Sequence, residues 1–125
     1  MKRILPILLF LLLLTGCGGN SADGYQQITQ EEAKEMMDTQ EVIILDVRDQ
    51  DEYDSGHIPG AVLLPVGTID ADTAAAVIPS KDSAVLVYCR SGNRSKTASS
   101  ALADLGYTNI YEFGGINTWP YGTEP

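Results

Sequence analysis

The chain is poor in cysteine and histidine, with two of the first and one of the second in 125 residues. That leaves too few ligands of the kind a structural zinc site uses, so no metal is expected. Long apolar runs are also missing. The longest, residues 4–14, has eleven residues, against roughly 20 for a transmembrane helix. Basic side chains are scarce, 8 Lys and Arg against 17 Asp and Glu, for a net charge of −9. Such a balance makes nucleic acid and anionic lipid surfaces poor partners and favours solubility. No internal repeat or low-complexity tract interrupts the chain. With 44% hydrophobic and 20% charged residues, the composition is that of an ordinary globular domain.

What is present begins with a distinct N-terminus. Met1-Lys2-Arg3 is basic, the apolar run follows, and Leu14-Thr15-Gly16-Cys17 closes the segment. This is the layout of a secretory signal, and its last four residues resemble the lipobox of bacterial lipoproteins. The resemblance implies cleavage before Cys17, a diacylglyceryl group on its sulfur, and a mature chain of 109 residues once the 16 before Cys17 are removed from the 125. Two acyl chains hold a protein stably on a membrane, where one holds it only marginally. The expected location is therefore the cell envelope, on the extracytoplasmic face of a bacterial membrane. Losing Lys2 and Arg3 leaves 6 of the 8 basic side chains against 17 acidic ones, a net charge of −11. Residues 17–24 form the anchor and a short tether, whose seven residues after Cys17 reach at most about 24 Å. With Cys17 committed to lipid, Cys89 is the sole thiol. An internal disulfide is then excluded, although the compartment would permit one.

Residues 25–121 read as one α/β domain. Residues 25–28 suggest an edge strand. Thr29 and Glu32 fit a capping box, opening a helix whose apolar face is Ala33, Met36 and Met37 and which ends near Asp38. Residues 42–45, 61–64 and 84–88 are continuous apolar runs, as in strands covered on both faces. Residues 70–77 suggest a helix stopped before Pro79. Ala98, Ala101, Leu102 and Leu105 follow helical spacing over residues 95–105, and Gly106 sits where a helix C′ residue belongs. Residues 109–113 make a final strand, and Gly114-Gly115 turns the chain. Strands alternating with helices predict a mainly parallel sheet.

Cys89 follows the strand 84–88 directly, and Arg90-Ser91-Gly92-Asn93-Arg94 leads into the helix expected from Ser95. A strand, loop and helix in that order aim backbone N–H groups and a positive helix end at whatever the loop encloses. Gly92 lets the loop close tightly, and Arg90 and Arg94 add positive charge. A thiol there is expected to ionise below its ordinary value of roughly 8.5. Electrostatics suffices for this reading, with no histidine or acid required as a base. The Gly-Lys pair of a Walker A loop is absent.

Leu45-Asp46-Val47-Arg48, Glu52-Tyr53, Gly56-His57-Ile58-Pro59-Gly60-Ala61, the Cys89–Ser95 loop and Gly114-Gly115-Ile116 with Trp119-Pro120 together resemble a single-domain rhodanese. The resemblance spans residues 25–121. It implies a three-layer α/β/α domain with a five-stranded sheet and a sulfurtransferase activity needing no cofactor. The family's catalytic cysteine falls on Cys89, which would take up a sulfane sulfur as a persulfide and pass it to cyanide or a thiol. Arg90, Ser91, Gly92, Asn93, Arg94 and Ser95 fall on the loop that binds the persulfide and an anionic donor such as thiosulfate. Asp46, Arg48, Glu52 and His57 are read as supports of the site. Glu52 is placed to pair with Arg48, and His57 to fix the 56–61 turn by hydrogen bonds, the competing role being a general base. Trp119 is read as core.

Two further functions share these residues. A cysteine phosphatase or arsenate reductase would use a similar loop, but with five residues between cysteine and arginine; here four separate Cys89 from Arg94. A redox or sulfur-relay module is the other. Without a resolving cysteine, oxidised Cys89 must be discharged by an external thiol, such as one offered by a partner protein at the membrane.

Overall fold

The computed structural model describes residues 24–125, so the signal segment, Cys17 and the tether up to Asp23 lie outside the described residues. Five strands make one sheet: β1 (Gln26–Gln27), β2 (Ile43–Asp46), β3 (Val62–Leu63), β4 (Val85–Cys89) and β5 (Ile110–Gly115), in the order β1-β5-β4-β2-β3. Every pairing is parallel. The helices are α1 (Gln30–Thr39), α2 (Gln50–Asp54), α3 (Ala71–Val77) and α4 (Asn93–Asp104), with short 3-10 turns at Val66–Thr68 and Ile116–Thr118.

β4 lies at the centre, and its alternation distributes two cores. Val85, Val87 and Cys89 join Ala74 of α3 and Ala98 and Leu102 of α4 on one face. Leu86 and Tyr88 join Ala33 of α1, Ile58 and Phe113 on the other. All five residues of β4 are buried, which is why the run shows no polar alternation. Burying each of its aliphatic side chains contributes roughly 1.5–3 kcal/mol. The result is the expected α/β domain with helices on both faces of the sheet.

Local signals set the helix ends. Thr29 Oγ1 accepts from the Glu32 amide at 3.0 Å and Glu32 Oε1 accepts from the Thr29 amide at 2.8 Å, closing the expected capping box. At the far end of α4, Gly106 takes φ 102°. The amides of Gly106 and Tyr107 then bond back to Ala103 and Leu102, a Schellman closure.

Some boundaries differ from the sequence reading. α4 starts at Asn93, two residues earlier than Ser95, because Gly92 at φ 107° turns the chain straight into the helix. β5 runs on to Gly115, where it pairs with Cys89 after an irregularity between Val87 and Cys89. β3 is only two residues long. α2 has five residues, too few to show a helical period.

Candidate active site

Cys89 ends β4 at the carboxyl edge of the sheet, where parallel α/β sheets bind their ligands. A cleft of about 490 Å³ lined by Glu41, Val42, Pro79 and Asn109 opens at the opposite edge, away from the loop. Cys89 is a free thiol, 1% exposed. The Gly92 amide donates to its Sγ at 3.1 Å, and its S–H donates to Ser95 Oγ at 3.4 Å.

The loop sequence explains this geometry. α1 and α3 are capped by the side chains of Thr29 and Asp70. α4 is capped by Gly92, which has no side chain to offer. The amides that a capping residue would satisfy are therefore left to the thiol. Burial alone would raise the Cys89 pKa. Hydrogen bonding with the Ser95 side chain and with the amides of Ser95, Gly92 and Ser91 outweighs it and holds the thiol below its ordinary value, as expected for an ionisable thiol at a helix N-terminus.

The other loop residues divide by position. Arg90, Ser91 and Asn93 are exposed, and Ser95 is fully buried beneath the thiol. Arg94 does not point freely at the site. Its Nη1 and Nη2 donate to Glu52 Oε1 and Oε2 at 2.8 and 3.0 Å. This corrects the expected pairing of Glu52 with Arg48. Arg48 instead donates to Asp46, with Nη2 2.7 Å from Oδ2, and to the Gly56 carbonyl at 2.7 Å. Asp46 also accepts from the Tyr88 hydroxyl at 2.5 Å. Asp46 and Arg48, 0% and 5% exposed, thus tie the end of β2 to β4 one residue before Cys89. The two-residue spacing makes their contact local, whereas Glu52 meets Arg94 only once α2 is folded beside α4.

His57 is fixed by hydrogen bonds at the start of the 56–61 turn. Its ring stacks on Tyr53 at 3.8 Å, and Nδ1–H donates to the Tyr53 carbonyl at 3.0 Å. Its backbone pairs with Glu124. None of these contacts reaches Cys89. The turn itself is held by the Tyr53 hydroxyl, which donates to the Ala61 carbonyl at 2.6 Å, and by Tyr88 Oη, which accepts from the Ile58 amide at 3.1 Å. Trp119 packs against Phe113 in the core face of α1, with ring centroids 5.4 Å apart.

Two residues at the site escaped the sequence reading. Glu112 of β5 is 2% exposed and accepts from Ser95 Oγ at 2.5 Å. The available signal was an acidic residue inside the short strand Ile110-Tyr111-Glu112-Phe113. Gly115 lies directly against the loop backbone.

The family description "Rhodanese-like domain" matches residues 29–120. A thiosulfate sulfurtransferase (GlpE) of Coxiella burnetii is 35% identical over 96 residues, covering 76% of this chain and 87% of that protein. The thiosulfate sulfurtransferase PspE of Escherichia coli K12 is 36% identical over 72 residues, 58% of this chain and 68% of its own. Among solved structures, a rhodanese with anions from E. coli superposes with a TM-score of 0.61 at 31% identity, covering 67% of this chain and 98% of that one. With a reactive thiol in an amide-lined loop and relatives of this kind along the domain, the chain belongs to the rhodanese-like family and is a rhodanese-type sulfurtransferase.

Proposed function

We propose that the protein works outside the cytoplasm, anchored through lipid on Cys17, and moves a sulfane sulfur through a persulfide on Cys89. The donor is thiosulfate or a persulfide, and the acceptor is a thiol or cyanide. The observation that carries this is the buried Cys89 sulfur at the start of α4, with the Gly92 amide donating to it at 3.1 Å. The thiolate attacks the outer sulfur of the donor. A bond forms from Sγ to that sulfur as its bond to the sulfite group breaks, and sulfite leaves with the electron pair. The same amide favours the negative persulfide that remains. The acceptor thiolate then takes the outer sulfur and releases the Cys89 thiolate. Arg90, exposed at the loop, supplies the positive charge that draws an anionic donor, because Arg94 is held by Glu52.

The test is sulfur transfer from thiosulfate to cyanide by the purified protein, with mass spectrometry of the Cys89 peptide. Wild type is expected to gain one sulfur on Cys89 and to turn over, and Cys89→Ser to do neither. Unchanged turnover in Cys89→Ser would refute the assignment. Transfer to a partner protein's thiol is a second reading, favoured by the lack of any cysteine besides Cys17 and Cys89. Mixed disulfides trapped on Cys89 in intact cells would support that reading.

A further inference from the structure

Glu112 is a buried carboxyl group that the reaction above leaves unused. It lies on β5 opposite Val87 of β4, on the sheet face that carries Cys89. Its Oε2 accepts from Ser95 Oγ at 2.5 Å and from the Gly114 amide at 3.0 Å. Its Oε1 accepts from Gln27 Nε2 of β1 at 3.1 Å. A buried carboxyl group is costly to a fold, and an apolar side chain of similar volume would serve the core as well or better.

Ser95 Oγ stands between this carboxyl group and Sγ, 3.4 Å from the sulfur. A serine hydroxyl has one proton to donate. With a neutral thiol, S–H donates to Oγ and Oγ–H donates to the Glu112 carboxylate. A thiolate can only accept, so Ser95 must then donate to sulfur. The hydrogen bond between Ser95 and Glu112 survives that change only if Glu112 holds the proton. The two arrangements differ by a concerted shift of two protons, and the site carries one negative charge in both. Forming the thiolate by simple proton loss would instead leave two negative groups on either side of one serine oxygen.

We propose that Ser95 relays the thiol proton of Cys89 to Glu112, which holds it through the persulfide stage and returns it when Cys89 is released. This rests on the role proposed for Cys89. In the first half-reaction, Sγ loses its proton to Oγ as Oγ–H passes to Oε2, and the Sγ–S bond replaces the donor's bond to sulfite. In the second half-reaction, the acceptor thiolate takes the outer sulfur, and the proton runs back from Glu112 through Ser95 to Sγ. No outside oxidant or reductant enters. The charged groups facing the pair are Lys96 of α4, 3.9 Å from Glu112 Oε1, and Arg94 of α4, which faces Cys89 while paired to Glu52 of α2. From β1, Gln27 contributes only a neutral amide.

The test follows two quantities across pH in the detergent-solubilised full chain: alkylation of Cys89 by iodoacetamide and thiosulfate-to-cyanide transfer. Wild type is compared with E112Q, S95A, S95T and C89S. A thiol that shares its proton with a carboxyl group ionises in two steps. Wild-type alkylation is therefore expected to show a plateau on the acid side before its alkaline rise. E112Q and S95A should each collapse this to one step, and S95T, which keeps the hydroxyl, should restore two. Transfer should fall about 10²-fold on the acid side in E112Q and S95A, and recover as the pH passes the ionisation of the isolated thiol. S95A cuts the relay with Glu112 in place, so it carries the test if E112Q does not fold. A single wild-type step shared by all variants would overturn the proposal. So would a loss of transfer that is the same at every pH, or faster acid-side alkylation in E112Q. Full transfer by C89S would instead refute the role of Cys89 itself.

Discussion

Gly115 shows how one residue can be fixed by something other than its own backbone. Its φ of −134° is open to any residue. A Cβ there, however, would lie 2.0 Å from the Arg90 carbonyl oxygen and 2.6 Å from Ser91 Cα. The loop backbone therefore rests directly on β5, and the Asn117 amide fastens it by donating to that same carbonyl at 3.1 Å. Gly115→Ala should push the loop off the strand. The expected cost is about 3 kcal/mol of stability, with loss of sulfur transfer, read by denaturant unfolding and by turnover. A fully active variant of wild-type stability would refute this account. In the sequence Gly114-Gly115 shows as a turn and as part of the family motif, but not as a contact of the loop, since the clash involves residues some 25 positions away. Cys89 was legible because its chemistry and its neighbours are adjacent in sequence. Glu112 was not, because it reaches Cys89 only through the pairing of β4 with β5 and a serine on α4.

At the scale of elements, α4 does two things at once. Its apolar stripe packs on β4, and its first turn surrounds the thiol. The stripe was readable from spacing, and the early start at Asn93 was not, because it depends on Gly92 adopting φ 107°. α2 was missed as a helix, yet it places Glu52 against Arg94 and so tethers the start of α4. Arg94's hydrogen bond, opposed by partial burial and helped by the Asp49 amide and the charges of Arg94 and Arg48, brings the Glu52 carboxyl to about 2 from an ordinary 4.5. A carboxyl group with a depressed folded-state pKa stabilises the fold above its unfolded value, and that stabilisation is lost as the pH falls through the folded one. The contribution should therefore be complete at neutral pH and disappear between about 4.5 and about 2. With both side chains about a third exposed, solvent screening limits it to about 1 kcal/mol. Glu52→Gln should lower stability by that amount at pH 7 and by nothing near pH 2, measured by denaturant midpoints. An equal loss at both pH values would point to packing instead.

For the molecule as a whole, the parallel sheet gathers the loop, the Asp46–Arg48–Tyr88 network and the Glu52–Arg94 pair toward one edge. The short segment between Cys17 and β1 would keep that body close to any membrane holding the anchor. Cys17→Ala should leave the protein unlipidated, shifting it from the membrane to the soluble fraction without changing sulfur transfer by the purified domain. A variant that still fractionates with membranes would refute the anchor.

Composition and periodicity by themselves determined the class of the domain, the buried strand 84–88, the best helices and the candidate thiol Cys89 at that strand's end. Each of these is a local or compositional property: an apolar run, a repeat of 3.6 residues, a count of cysteines. Only the tertiary structure decided which charges meet. It gave Arg94 to Glu52, gave Arg48 to Asp46, turned His57 toward Tyr53, and placed Glu112 one serine away from the sulfur. These contacts depend on strand register and on which helix lies over which strand. Two acidic residues of the same type thus came to opposite uses, one at the surface holding a helix and one in the core beside the thiol.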